Sequence, residues 1–510
     1  MPNREVRPLT NPLHLRSNRI RVIFWLLAMA AVPPAFGQNL IAPAYNQTYR
    51  PQFHFSPREH WTNDPNGLVY FEGEYHLFFQ YNPFGDEWGH MSWGHAVSRD
   101  LLHWEQLPVA IPESNGIMTF TGSTVIDERN TSGFCKDGKQ CMVAIYTGHT
   151  AALQTQNLAY SNDRGRTWTK YGANPVLNLH MKDFRDPKVF WWHKSNRWVM
   201  AVSLPNDHKI RLYGSADLKS WRMLSDFGPA GATGGQWECP ELFELPVQGE
   251  PGKSRWVLKV GLNPGALQGG SGEQYFVGQF DGTHFTNDNP SSLTLWTDYG
   301  KDCYCALTFN HLPRGRPPVM IGWMNNWQYA AKLPTNPWRG QMTFPRSLSL
   351  RKTPEGIRLF QEPIAAVAKL ESPVQLPDTH SFRLRSEMHL DGAQEIGWRL
   401  LAGASHYTLI GYDRRSAKLF VDRAHSGLTN FSKDFPSRIE APLKVNGGVL
   451  RLDVLVDRCS IEVFADGGRV TTTNLVFPPP GANGLEPYPK DASITAKISS
   501  IQSIYSKPRN

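Results

Sequence analysis

At 510 residues the chain is too long for a single hydrophobic core, which calls for two domains. The formal charge of +8 does not mark a nucleic-acid binder: Arg4, Arg7, Arg16, Arg19 and Arg21 face only Glu5 within residues 1–37, and without that segment 48 basic residues oppose 44 acidic ones, with no basic cluster. Seventeen tryptophans with 43 glycines and 39 prolines suit either a sugar-handling β protein or a β protein with a Trp-rich core.

Residues 1–37 read as an export signal. The arginines precede an apolar run at 22–32, and small residues lead on to Ala35-Phe36-Gly37. The run is shorter than the roughly 20 residues needed to cross a bilayer, and no later segment reads as membrane-spanning. Short β-type runs follow at 68–71, 75–80, 141–146, 188–192, 198–203, 256–260 and 319–323, punctuated by Gly, Asn, Asp and Pro. No long amphipathic helix is predicted.

A repeat organises these runs. Ser98-Arg99-Asp100, with Trp104 behind it, returns as Ser161-Asn162-Asp163 with Trp168 and as Ser215-Ala216-Asp217 with Trp221; a weaker copy is Phe280-Asp281-Gly282-Thr283-His284-Phe285. The spacing of about 50–60 residues is that of one four-stranded propeller blade. Each aspartate is expected to bond backbone N–H groups in a turn while the aromatic packs between blades. The predicted organisation is a propeller over 45–361, a linker with one short helix over 362–375, and a β-sandwich over 376–507.

Of the six cysteines, Cys135 and Cys141 flank a hairpin-like turn and could close a small disulfide. Cys303 and Cys305 share a face if they lie on a strand, and Cys239 is expected to be a free thiol. No spacing makes a convincing zinc site.

Three acidic islands carry the chemistry: Trp61-Thr62-Asn63-Asp64-Pro65-Asn66-Gly67, Phe184-Arg185-Asp186-Pro187 and Gln236-Trp237-Glu238-Cys239-Pro240-Glu241. The first reads as a sharp Asx-type turn that aims Asp64. Each alone could be an ordinary turn. Glycoside hydrolysis through a covalent intermediate needs two carboxyl groups about 5–5.5 Å apart, one ionised and one protonated. A propeller would draw them from different blades, hence from distant points in the sequence. Burial between Trp237 and Cys239 is expected to favour the protonated form of Glu238, and Glu241 is a rival acid expected on the opposite side of its strand.

In this order the islands resemble the motifs of glycoside hydrolase family 32, the β-fructosidases, whose first motif is usually Trp-Met-Asn-Asp-Pro-Asn-Gly. Only Thr62 departs from it. Asp457-Arg458-Cys459-Ser460-Ile461-Glu462-Val463-Phe464 is similar to the family's sandwich motif. The resemblance implies a five-bladed β-propeller followed by a C-terminal β-sandwich. It implies Asp64 as nucleophile, Glu238 as general acid/base and Asp186 as transition-state stabiliser, with substrate contacts at Trp61, Asn63, Gln80, Trp88, Phe120, Thr121, Arg185 and Trp323. His90, His95 and His149 are read as structural or subsite residues. The implied mechanism needs no cofactor and no metal. The expectation is a secreted or periplasmic retaining enzyme that frees terminal fructose from levan, inulin and sucrose. A sucrose-restricted invertase, a fructosyltransferase and a non-catalytic fructan-binding protein stay open. The cysteines at 303 and 305 replace the family's usual aromatic and alanine.

Overall fold

The computed structural model describes residues 45–376, 380–390 and 392–505, and the predicted export signal lies outside the described residues. Its apolar runs pair into antiparallel sheets, and the helical pieces among the described residues are short 3-10 segments. Between His60 and Pro363 the strands form five successive antiparallel units built on four strands each, some with a short extra strand, and the last two are joined in one nine-stranded sheet. Their first strands are His60–Phe71, Met118–Asp127, Arg185–Trp192, Gln236–Gln248 and Tyr304–Thr308. These touch one another in a closed cycle, the last meeting the first, which is the connectivity of a five-bladed propeller with those strands innermost.

Asn310 fastens the closure. Its backbone N–H donates to Leu68 O (2.9 Å) and its carbonyl accepts from Tyr70 N (3.0 Å). Its side-chain amide donates to Thr124 O and Val189 O, on the inner strands of the second and third blades. One residue of the fifth blade thus ties three others.

The repeated aspartates all lie in the connection between the third and fourth strands of a blade. Asp100 accepts from the backbone N–H groups of Leu102 and His103, Asp163 from Thr167, Asp217 from Lys219 and Ser220, and Asp281 from Thr283 and His284. Trp168 packs with Val69, Phe78 and Trp93 of the preceding blade, and Trp221 likewise with Val125 and Val143. The motif is structural, because it fixes each outer hairpin while an aromatic fills the gap between blades.

Beyond the propeller, two antiparallel sheets share one core. Leu384, Val454 and Val463 of the six-stranded sheet meet Trp398, Ile410 and Leu419 of the five-stranded one. The predicted linker is shorter than 362–375. Glu362 and Pro363 finish a propeller strand, Ala365–Leu370 forms a 3-10 segment, and Glu371–Val374 is an edge strand paired with Ile494–Ile501. That pairing partner lies over a hundred residues downstream, beyond the reach of a local reading.

Buried charges span the seam between the two folds. Arg423 of the sandwich pairs with Asp302 of the propeller, both fully buried, and also donates to the Tyr329 hydroxyl (2.8 Å). Arg346 of the propeller pairs with Asp298 (2.8 Å) and reaches Glu462 and Thr473 of the sandwich. Asp457 accepts from Gln52 N, Phe53 N and the His54 ring. Burial pushes the His54 imidazole down, but hydrogen bonds and charge from Asp457 and Glu462 outweigh it and hold the group up at about 9. Removing one partner of such a pair strands the other charge away from water. Arg423→Ala is expected to destabilise the protein by about 3–5 kcal/mol, read as a lowered unfolding midpoint; an unchanged midpoint would remove the seam as a source of stability.

Candidate active site

All five inner strands carry a register irregularity near their N-terminal ends. The breaks fall between Thr62 and Pro65, Thr119 and Gly122, Arg185 and Lys188, Glu238 and Glu241, and Tyr304 and Leu307. A bulge bends the strand and re-aims the side chains at it. The Asn-Asp-Pro-Asn-Gly run is therefore not a turn between strands, as its composition led us to expect, but the bulged part of His60–Phe71. Proline suits such a break because it has no N–H to give to the ladder; Pro187 and Pro240 stand within one, and Pro65 closes the first. Gly67 closes the first motif at φ 53°, where a Cβ would lie 2.6 Å from Thr124 Oγ1 and 2.8 Å from the Trp93 ring.

The bulges open on a cavity of about 330 Å³ lined by Asn63, Asp64, Gln80, Trp88, Phe120, Thr121, Arg185, Asp186 and Glu238. Thr121 donates to Asp64 Oδ2 at 2.9 Å, while Asp64 Oδ1 is buried without a hydrogen-bond partner. Cys239 N–H donates to Asp186 Oδ2 at 2.9 Å. Arg185 directs its guanidinium at Glu238 Oε1 (2.8 and 3.0 Å), Asp183 (2.9 Å) and Gln236 (2.7 Å). Tyr304 donates its hydroxyl to the other Glu238 oxygen. Gly261 makes room for that tyrosine, since a Cβ there would stand 3.1 Å from its ring.

Two expected contacts lie behind the wall. Trp61 and Trp323 are almost fully buried, and Trp327 lines the cavity instead. The three rings pack together with centroids 4.8–6.2 Å apart, so Trp61 and Trp323 act as backing. Trp61 Nε1 also donates to Asn63 Oδ1 at 2.8 Å, which fixes that amide at the pocket. Trp88 is 45 % exposed at the rim, edge-on to Phe120, and Phe120 stacks on His149 at 4.2 Å. Gln80 lines the pocket and donates to Thr119 O at 3.0 Å. His95 is buried against His76, and His90 pairs with Glu113 away from the cavity.

Several lining residues escaped the sequence reading: Tyr304, Trp327, Gln154, Asp183 and Asn263. Asp183 and Trp327 sit two and four residues from Arg185 and Trp323. Only the fold shows which way they point. Glu241, the rival acid, is buried in an ion pair with Lys188 (3.0 Å) and accepts from Thr308 Oγ1 (2.6 Å), outside the cavity.

Cys239 is not a free thiol. It is disulfide-bonded to Cys305 on the neighbouring inner strand, and Cys135 is bonded to Cys141; Cys303 and Cys459 stay free and buried. The ligand-type atoms of Asp64, Cys239 and Cys305 lie within 4.8 Å of one another, but the two sulfurs are joined to each other and offer no thiolates.

The electrostatics also differ from expectation. Desolvation was anticipated at Glu238, yet its side chain is 16 % exposed, whereas Asp64 and Asp186 are the buried acids. Burial, then the charges of Asp186 and Glu238, push Asp64 up to about 7 against the opposing hydrogen bond from Thr121. Burial likewise raises Asp186 to about 7, opposed by Arg185 and by the Cys239 N–H. Arg185 loses by burial but is held firmly protonated by Glu238 and Asp186.

A propeller that gathers acids from three blades beside an arginine, behind an aromatic rim, is built as a glycoside hydrolase. The chain belongs to glycosyl hydrolase family 32: residues 54–363 match that family's N-terminal domain and residues 348–504 its C-terminal domain. It is 46% identical over 480 residues to a levanase of Bacillus subtilis (strain 168), covering 90% of this chain and 70% of the relative. An extracellular exo-inulinase of Aspergillus ficuum is 42% identical over 504 residues, with 88% and 92% coverage. The crystal structure of exo-inulinase from Aspergillus awamori superimposes with a TM-score of 0.86 at 40% identity, covering 90% of this chain and 99% of that one.

The raised acids tie stability to pH. In the fold Asp64 keeps its proton up to about pH 7, whereas an unfolded aspartate loses it near pH 4. Its ionisation therefore opposes folding fully at pH 8, and the penalty fades between pH 7 and pH 4. Asp64→Asn is expected to stabilise the protein at pH 8 by an amount on the order of 4 kcal/mol, with the gain shrinking toward pH 4. Unfolding midpoints of both proteins across that range test this, and a pH-independent difference would refute it.

Proposed function

We propose that the protein is an exported retaining β-fructosidase that removes terminal fructose from levan, inulin and sucrose. The observation that carries the assignment of roles is the Asp64 carboxylate, one oxygen fixed by Thr121 and the other buried and unpartnered at the cavity. A buried carboxyl oxygen without a hydrogen-bond partner calls for an explanation. A nucleophile waiting for the anomeric carbon supplies one. Asp64 Oδ1 forms a bond to that carbon as the bond to the leaving oxygen breaks, and the Glu238 proton goes to the leaving oxygen. Glu238 then takes a proton from water, whose oxygen displaces Asp64 and frees fructose. Asp186 steadies the oxocarbenium-like charge in both steps, and Arg185 orients Glu238 and holds the sugar ring.

The substrate class rests on the relatives, a levanase and exo-inulinases, and on the aromatic rim of Trp88, Phe120 and Trp327. The same rim suits a terminal residue entering from solvent, as exo cleavage requires. Export is supported by two disulfides, which persist in oxidising compartments. Among the described residues no helix is long and apolar enough to cross a membrane.

The test is a product profile on sucrose, inulin and levan with the mature protein and its Asp64→Asn variant. Fructose as the sole product from a polymer is expected, with turnover reduced by a factor of at least about 10³ in the variant. Oligosaccharides from either polymer would replace exo action by endo cleavage or transfer, and no release from any of the three would overturn the reading.

A further inference from the structure

Bulge residues of three adjacent blades are linked in series beside the acids. Asp186, Cys239 and Cys305 each hold a left-handed backbone in the bulge of their inner strand, at φ 68°, 48° and 46°. Cys239 N–H donates to Asp186, and the Cys239 side chain is bonded to that of Cys305, with Cα atoms 5.4 Å apart. The Cys239 sulfur also lies 3.9 Å from Asp64 Oδ2. Glu238 immediately precedes Cys239, Tyr304 immediately precedes Cys305, and these two neighbours share a hydrogen bond. A single covalent bond therefore touches or adjoins all three acids.

Left-handed non-glycine backbone persists only where its surroundings over-determine it. For Asp186 those surroundings include hydrogen bonds from Cys239 N–H to its carboxylate and from its own N–H to Thr147 Oγ1 (2.9 Å). The fifth-blade bulge is joined to the fourth, at the level of the pocket, by the disulfide and the Tyr304–Glu238 hydrogen bond. Both cysteines are buried, so the cross-link is a fixed part of the folded wall rather than a thiol pair open to solution.

We infer that the Cys239–Cys305 disulfide is a positioning element for catalysis, holding Asp186, Glu238 and Asp64 in register across three blades. The inference rests on the roles proposed above for those acids. Without the bond the fifth bulge relaxes, Cys239 N–H moves from Asp186, and the spacing of the acids loosens. A displacement of about 1 Å can cost about a hundredfold in rate. Substrate contacts through Arg185 and the aromatic rim do not pass through either cysteine, so the loss falls on kcat and leaves KM nearly unchanged.

The test begins with non-reduced peptide mapping, which is expected to recover Cys239 joined to Cys305. Cys305→Ala, Cys239→Ala and the double variant are then assayed on levan well below their unfolding midpoints. Each single variant is expected to lose at least about tenfold in kcat, with KM within about twofold and a displaced acid limb of kcat/KM. The double variant should be no worse than the singles, because all three break the same link. Removing the other disulfide, with Cys135→Ala and Cys141→Ala together, should leave kcat and the pH profile as in wild type. Should a single variant fail to fold, wild type produced with its thiols free should show the same kcat loss, reversed on oxidative refolding. Free thiols at 239 and 305 in the active native enzyme, or a Cys305→Ala enzyme with wild-type kcat and pH profile, would overturn the inference alone. A wild type that releases no fructose would overturn the proposed function and this inference with it.

Discussion

The constraint on which the structure depends is the closure of five inner strands around one axis. Closure brings Asp64, Asp186 and Glu238 together although more than a hundred residues separate the first two and about fifty the last two. Three acids so placed repel one another, and two of them are also stripped of water. Much of the local architecture can be read as the means of enduring that arrangement. The Arg185 fork, the Thr121 hydroxyl and the Cys239 N–H each supply positive charge or a donor to an acid that would otherwise be expelled or neutralised. The energy to hold them comes from elsewhere, chiefly from the apolar packing between blades and the hydrogen bonds of the ladders.

Bulges are the local device that turns a regular sheet into a site. A strand of ideal period presents alternate residues to opposite faces, which would send Asp64 and its neighbours into the sheets on either side. A break in register at the mouth of each inner strand lets Asp64, Asp186 and Glu238 face the axis while the remainder of the strand keeps its pairing. The prolines beside the acids fit the same account, since proline has no N–H to give to the ladder at or beside a break in register.

The acids and the blade turns were legible because their information is local. Asp100, Asp163, Asp217 and Asp281 bond within two to four residues of themselves, so the sequence repeat displays the interaction directly. Asp64, Asp186 and Glu238 are marked by the prolines their bulges need. What could not be read depends on which strands become neighbours. The pairing of Cys239 with Cys305 spans 66 residues and two blades. The edge strand Glu371–Val374 is defined by Ile494–Ile501. The choice of Trp327 over Trp323 as the indole lining the cavity is settled by how three rings stack, and Glu241 is withdrawn from the cavity by Lys188 of the adjacent blade.

The charged seam carries a consequence for how such a protein can change over generations. Arg423 is neutralised by an aspartate in the other fold, and Arg346 reaches an acid there, with no water at hand to stand in for a missing partner. A sandwich grafted from another lineage would bring its own pattern of charge, and each group without a counterpart would be left alone in the interior. Asp302 and Arg423 are matched to each other, so a change at one calls for a compensating change at the other. A transplanted sandwich would therefore have to carry the matching charges with it, which makes the seam the costliest place to cut the chain.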